Sequence, residues 1–175
     1  DDAALADAGP FVGGSGTAAV TGCQGQPFNS VGAAYVVEHG HTTGQPEILL
    51  FDKPVECGPA GITTLGWDTD NALLGPLLPM QWIGIQLSAA ASGTYSFTFV
   101  SPPAVGQAFA TYYELHDTGS QACISQMNGT TTATLNASGT IDLSFSLMFA
   151  ASPAISTGSV TAVPCAGSYA SHRND

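Results

Sequence analysis

Three of the four histidines stand where a metal could be held. If one strand runs through His39-Gly40-His41, its period of two puts both imidazoles on one face, and His116 could add a third ligand from another strand. Three neutral imidazoles suit Zn²⁺ or Cu²⁺. Glu38 and Asp117, next in sequence, are candidates to fix a ring tautomer, although neighbours on a strand point to opposite faces. The competing reading places the histidine pair in an exposed hairpin loop, because Gly40 and Thr42-Thr43-Gly44 carry turn chemistry.

Asp68-Thr69-Asp70-Asn71 resembles the start of a calcium loop, since a hard cation wants clustered oxygen ligands. The register then fails: the fifth position is Ala72 and the twelfth, where a bidentate Glu belongs, is Pro79. Only an irregular calcium site on Asp68, Asp70 and Asn71 survives, against a plain solvated turn. Gly13-Gly14-Ser15-Gly16-Thr17 lacks the second glycine of a nucleophile elbow, and no catalytic residue is assigned. Glu38, Glu47, Glu56 and Glu114 offer carboxylates, yet no spacing singles out a pair for glycoside hydrolysis. Trp67, Trp82, Tyr112 and Tyr113 could make an aromatic platform for sugars, with core packing the alternative for Trp82. Asn128-Gly129-Thr130 and Asn136-Ala137-Ser138 match the glycosylation acceptor pattern.

These residues need elements to hold them, and the sequence reads as strands throughout. Apolar residues alternate in Ile83-Gly84-Ile85-Gln86-Leu87, in Tyr95-Ser96-Phe97-Thr98-Phe99 and from Ile141 to Leu147, which predicts strands with one face in the core. Strands are expected near 17–22, 30–38, 47–52, 81–88, 94–100, 107–116, 130–136, 140–149 and 156–163. Turn chemistry falls at Thr43-Gly44, Ser92-Gly93, Asn128-Gly129 and Ser138-Gly139. The expected fold is all-β, a two-sheet antiparallel β-sandwich of Ig-like or jelly-roll-like kind, filling residues 16–167. Residues 168–175 then form a C-terminal tail. The Pro- and Gly-rich segment 57–80 reads as a long loop, either covering one end of the sandwich with Leu73, Leu74, Leu77 and Leu78 or meeting a ligand. Residues 1–15 end in linker composition and read as an arm whose Phe11 and Val12 could add as a strand to the sheet edge of a second copy.

Composition narrows the partners. Two basic residues against thirteen acidic ones give a net charge of −11, which argues against nucleic acid, because phosphate recognition needs clustered Lys and Arg. Charged residues are only 9% of the chain, so its solvated faces have to be built from Thr, Ser, Gly, Asn, Gln and Ala. No stretch approaches the ~20 apolar residues of a membrane-spanning helix, and Asp1-Asp2-Ala3-Ala4 lacks the basic start of a signal peptide, as a processed secreted chain would. Cys23, Cys57, Cys123 and Cys165 are widely spaced with no C-x-x-C, which suits disulfides in an oxidising compartment. Of the three connectivities, Cys23 with Cys165 and Cys57 with Cys123 is favoured, because the first and last strands of a sandwich often lie close.

The run Gly16-Thr17-Ala18-Ala19-Val20-Thr21-Gly22, then Gly25-Gln26-Pro27-Phe28, Ile48-Leu49-Leu50-Phe51-Asp52 and Gly93-Thr94-Tyr95 form a series. It continues with Thr130 to Leu135, Gly139 to Phe145 and Ala162-Val163-Pro164-Cys165. Across residues 16–165 this series resembles the small secreted lipoprotein-type β-domains of predatory and fruiting deltaproteobacteria. The resemblance implies a fold and no activity, and the 57–80 segment and Cys23 fall outside it. The cysteines, the neutral polar faces and the missing chemistry together lead to the expectation of a non-catalytic extracellular or cell-surface structural or adhesive domain, such as a self-assembling fibre or surface-layer subunit. Its partners would be itself, other surface proteins or glycans. The alternatives are a secreted Zn or Cu protein using His39, His41 and His116, and a carbohydrate-binding module.

Overall fold

The computed structural model describes the backbone of residues 15–21, 27–29, 32–39, 42–52, 80–100, 102–115, 121–149 and 155–164. Side chains are described for 45–52, 81–100, 102–112, 128–148 and 157–164. The strands are β1 (Ser15–Thr21), β2 (Pro27–Asn29), β3 (Gly32–His39), β4 (Thr42–Phe51) and β5 (Met80–Leu87). They continue with β6 (Gly93–Thr98), β7 (Gln107–Leu115), β8 (Gln121–Leu135), β9 (Ile141–Phe149) and β10 (Ile155–Pro164).

All ten strands belong to one mixed sheet in the order β2-β1-β10-β3-β4-β5-β7-β6-β8-β9. That sheet curls back on itself because β10 pairs with β9 as well as with β1 and β3. Strands β4 to β10 form a nearly barrel-shaped body. The expected all-β class holds, but the pairing is mixed where antiparallel strands are expected: β6–β7 and β10–β3 are parallel pairs. The chain achieves the first by returning through a tight turn. Gln107 donates its amide to Ala104 O at 2.8 Å, Gly106 takes φ 77°, and β7 then starts beside Ser96.

Periodicity is clearest where one face meets water. In β9, Ile141, Leu143, Phe145 and Leu147 are buried while Asp142, Ser144, Ser146 and Met148 are exposed. The buried set joins Tyr95, Phe97, Val160 and Ala162 with Ile48, Leu50, Ile83, Ile85 and Tyr112 in a single interior core. Strands β4 and β5 depart from the one-faced expectation. Ile48, Leu49, Leu50 and Phe51 are all fully buried, and so is the length of β5 from Trp82 to Leu87, which makes both faces interior.

Two turn expectations are corrected. Thr43-Gly44 lies inside β4, with His39 opposite Thr42. Asn128-Gly129 lies inside β8, where the strand changes partner: through Met127 it pairs with β7, and from Thr130 with β6. Gly129 stands at that change of partner with φ 132°, and a Cβ there would stand 2.0 Å from Ser146 O. Asn-Gly therefore lies within a long strand, paired to β9 without a register shift, and not at the tip of a hairpin. The Ser138-Gly139 turn is formed as expected, with Gly139 at φ 83° and its amide donating to Asn136 O at 2.9 Å.

Candidate functional site: a hydroxyl face and a buried polar patch

The four strands β6, β8, β9 and β10 turn small polar residues outward on one continuous face. Their registers align Thr94 with Thr132, Ser144 and Ser159 in one rank. A second rank aligns Ser96, Thr130, Ser146 and Thr157. Thr134, Asp142 and Thr161 form a third. All these residues are exposed except Thr161, which is half-buried. Neighbouring strands lie ~4.7–4.9 Å apart and alternate residues ~6.6–6.8 Å apart along a strand, so the hydroxyls form a shallow grid. Cross-strand bonds steady it: Thr94 Oγ1 and Thr132 Oγ1 lie 3.3 Å apart.

Asp142 is the carboxylate of this grid. Its Oδ1 accepts from Thr161 Oγ1 at 2.6 Å and its Oδ2 from Asn136 Nδ2 at 2.8 Å, and Asn136 also reaches Thr140 Oγ1 at 3.0 Å. Hydrogen bonding from Thr161, then from Asn136, holds the Asp142 carboxyl below its ordinary value. The β8–β9 turn places Asn136 for this task, since Asn136 N donates to Thr140 O at 2.9 Å. The sequon asparagines thus have structural duties: Asn136 binds Asp142, and Asn128 Oδ1 accepts from Gly129 N at 2.7 Å inside β8.

A second polar constellation lies farther round the same outward face of the sheet, at β4, β5 and β7. Glu47 is opposite Gln86, and Gln86 Nε2 donates to Gln45 Oε1 at 3.2 Å. Gly84 leaves space that the Glu47 carboxylate occupies, because a Cβ there would lie 2.8 Å from Glu47 Oε1. Thr111, opposite Gly84 and 3% exposed, keeps its hydroxyl without a hydrogen-bond partner among the described residues. Leu49, Phe51, Trp82 and Phe109, all buried, surround this patch. It is a largely covered polar patch with one carboxylate among the described residues. Glu114 pairs with Gln81, five residues from the Gln86 that faces Glu47, a separation of roughly 17 Å on strand rise. The spacing of paired glycosidase carboxylates is about 5–9.5 Å, which Glu47 and Glu114 do not meet.

Of the residues singled out in the sequence, His41, His116, Asp117, Asp68, Asp70, Asn71, Trp67, Cys23, Cys57, Cys165, Phe11 and Val12 lie outside the described residues. The side chains of His39, Glu38, Tyr113 and Cys123 do as well. β3 ends at His39 and β4 begins at Thr42, and Gly40 and His41 between them lie outside the described residues. Among the described residues no three His, Cys, Asp or Glu side chains gather as a metal site, and no helix is long and apolar enough to cross a membrane. Tyr112 is fully buried in the core and Trp82 is 5% exposed, so neither presents a ring to a sugar. The hydroxyl ranks were missed because each Thr or Ser reads as a plain solvated position, and only the register assembles them. Their signal was the T-x-T-x-T spacing of Thr130, Thr132 and Thr134, repeated in Thr157, Ser159 and Thr161.

Comparison with known families, curated proteins and solved structures finds no match.

Proposed function

We propose that this chain is a non-catalytic extracellular β-domain that serves as a structural or adhesive module of a cell surface. The observation that supports the reading most directly is the exposed face of three aligned hydroxyl ranks, which offers many weak polar contacts and no catalytic geometry. A surface of this kind adheres through summed contacts and not through one deep site. The scarcity of charge and the four cysteines fit an oxidising exterior, with Cys23–Cys165 and Cys57–Cys123 as the disulfides of this proposal. The likeness to secreted deltaproteobacterial β-domains and the two-layer, sandwich-type packing of the sheet belong to it as well.

The test is retention on intact producing cells. Purified protein added to washed cells should sediment with them and be removed by protease acting from outside. Protein recovered wholly in the supernatant, or found inside intact cells, would overturn the reading. Self-assembly is read separately by light scattering, comparing the intact chain with one lacking residues 1–14, because β1 begins at Ser15. Polymers confined to the intact chain are expected if the arm completes the sheet of a second copy.

A further inference from the structure

We propose that Asn128 is a self-modification site of the folded chain: Gly129 N closes on Asn128 Cγ, ammonia leaves, and water opens the resulting succinimide to aspartate or isoaspartate within β8. The proposal goes beyond the adhesive reading and does not depend on it. Asparagine followed by glycine cyclises readily, because glycine has no side chain to crowd the attacking amide. The fold adds two conditions. At this point β8 has a partner on one side only: its ladder to β7 ends at Met127 and its ladder to β6 begins at Thr130, so among the described residues Asn128 and Gly129 pair with β9 alone. Gly129 N donates to Asn128 Oδ1 at 2.7 Å. With a C=O bond of ~1.23 Å, the nitrogen stands no more than about 3.9 Å from Cγ, near the ~3–3.5 Å of a near-attack pair. Both residues are half-buried, which leaves water and hydroxide a way in.

Water is the co-reactant. Hydroxide takes the Gly129 amide proton, the nitrogen forms a bond to Cγ, and the Cγ–Nδ2 bond breaks as Nδ2 departs as ammonia with a proton from water. A second water then opens the ring. Cleavage between N and Cγ gives aspartate with the main chain unaltered. Cleavage between N and the Asn128 carbonyl carbon gives isoaspartate, whose main chain runs through Cβ and Cγ. No oxidant or reductant takes part. Asn136 is the contrast within the same molecule. It precedes Ala137, and its Nδ2 donates to Asp142 Oδ2 and Thr140 Oγ1, so release of ammonia there would break two hydrogen bonds.

Isoaspartate adds one atom to the main chain where there is no slack. β8 pairs with β9 without a shift from Met127–Phe149 to Leu135–Ile141, and a Cβ at Gly129 would stand 2.0 Å from Ser146 O. A longer chain cannot keep Met127 opposite Phe149 and Thr130 opposite Ser146 at once. Thr131 and Ala133 are buried and hold the second half of the strand, so the register lost is that of Gln121–Met127.

The experiment incubates the intact protein in water labelled with heavy oxygen, at neutral and mildly alkaline pH, beside the same chain unfolded in urea. Peptide mass spectrometry reads the label at each asparagine, and an isoaspartyl methyltransferase marks isoaspartate. Label should enter residue 128 of the folded chain at least as fast as in the unfolded one and faster at the higher pH. Asn136 should react about tenfold more slowly or less, since its side chain is engaged elsewhere. Asn128→Gln, which would need a larger ring, should take up no label there over the same time. The isoaspartate form, separated by ion exchange, should unfold at a lower urea concentration than Asn128→Asp, which carries the same charge without the added atom. Label entering residue 128 about tenfold more slowly in the folded chain than in the unfolded one would overturn the proposal, because the fold would then hold the atoms apart. Equal labelling of Asn136 would overturn it too, and an isoaspartate form as stable as Asn128→Asp would overturn the loss of register.

Discussion

Asp142 shows how much a single exposed carboxylate can report. Its folded-state affinity for protons is lowered by Thr161 and Asn136, whereas in the unfolded chain it titrates near the ordinary 3.8. The contribution to stability is therefore present above that value and is lost as pH falls through the lower folded value. A carbon-detected NMR titration should place the Asp142 midpoint below 3.8 and return it toward 3.8 in Thr161→Val, where the hydroxyl that donates to Oδ1 is gone. An unchanged midpoint in that variant would mean that the 2.6 Å bond does not govern the ionisation. Two glycines give a second residue-scale contrast. Gly129→Ala drives a Cβ to 2.0 Å from a backbone oxygen at φ 132°, and neither can yield cheaply. It should cost about 2 kcal/mol or more in urea denaturation. Gly84→Ala meets only the end of the flexible Glu47 side chain at 2.8 Å, so its cost should be clearly smaller, about 1 kcal/mol.

At the scale of the element, β9 is the simplest strand to test, because its two faces meet different surroundings. Leu147→Ala empties a fully buried position and should destabilise by about 2–5 kcal/mol. Met148→Ala, next along the strand and 41% exposed, should stay within ~0.5 kcal/mol. Equal effects at the two positions would mean that the strand is not one-faced. The same alternation made β6 and β9 legible from sequence, and the nine expected strands lie on nine of the ten found. Three-residue β2 carries too short a pattern to read, and the first half of β8 was hidden by Asn128-Gly129. A local signal for a turn was overridden by pairing, since β8 gains ladder partners on both sides of Gly129. Register was not legible at all, because it arises between strands. For that reason Thr132 and Ser144 became part of a site only once they stood side by side. The histidine pair was the sharper motif in sequence, and His41 and His116 lie outside the described residues.

For the molecule as a whole, the question is where a sheet that closes on itself opens first. The β10–β9 pairing joins what would otherwise be a sheet edge at β9, while β2, paired with β1, stands at the margin among the described strands. The ladder is not uniform around the ring. β10 pairs with β9 from Ile155 to Ala162, and among the described residues it meets β3 at Val163–Ala34 and Pro164–Tyr35. Pro164 has no amide hydrogen, so this parallel seam has one donor fewer than its length suggests. Strands β4, β5 and β7 lie on the far side of β3 from this seam, and β4 and β5 are buried on both faces. Free energies of local opening track such differences in burial and hydrogen bonding. Native-state hydrogen exchange should therefore protect Leu49, Ile83 and Ile85 through global unfolding only, while Val163 and the Ala34 amide exchange by a smaller opening at the seam. Denaturant would separate the two, since the core amides should show the full urea dependence and the seam amides little. If Val163 and Ile83 exchanged with the same urea dependence, the ring would open only as a unit, and β10–β3 would be as integral to the barrel as the central strands.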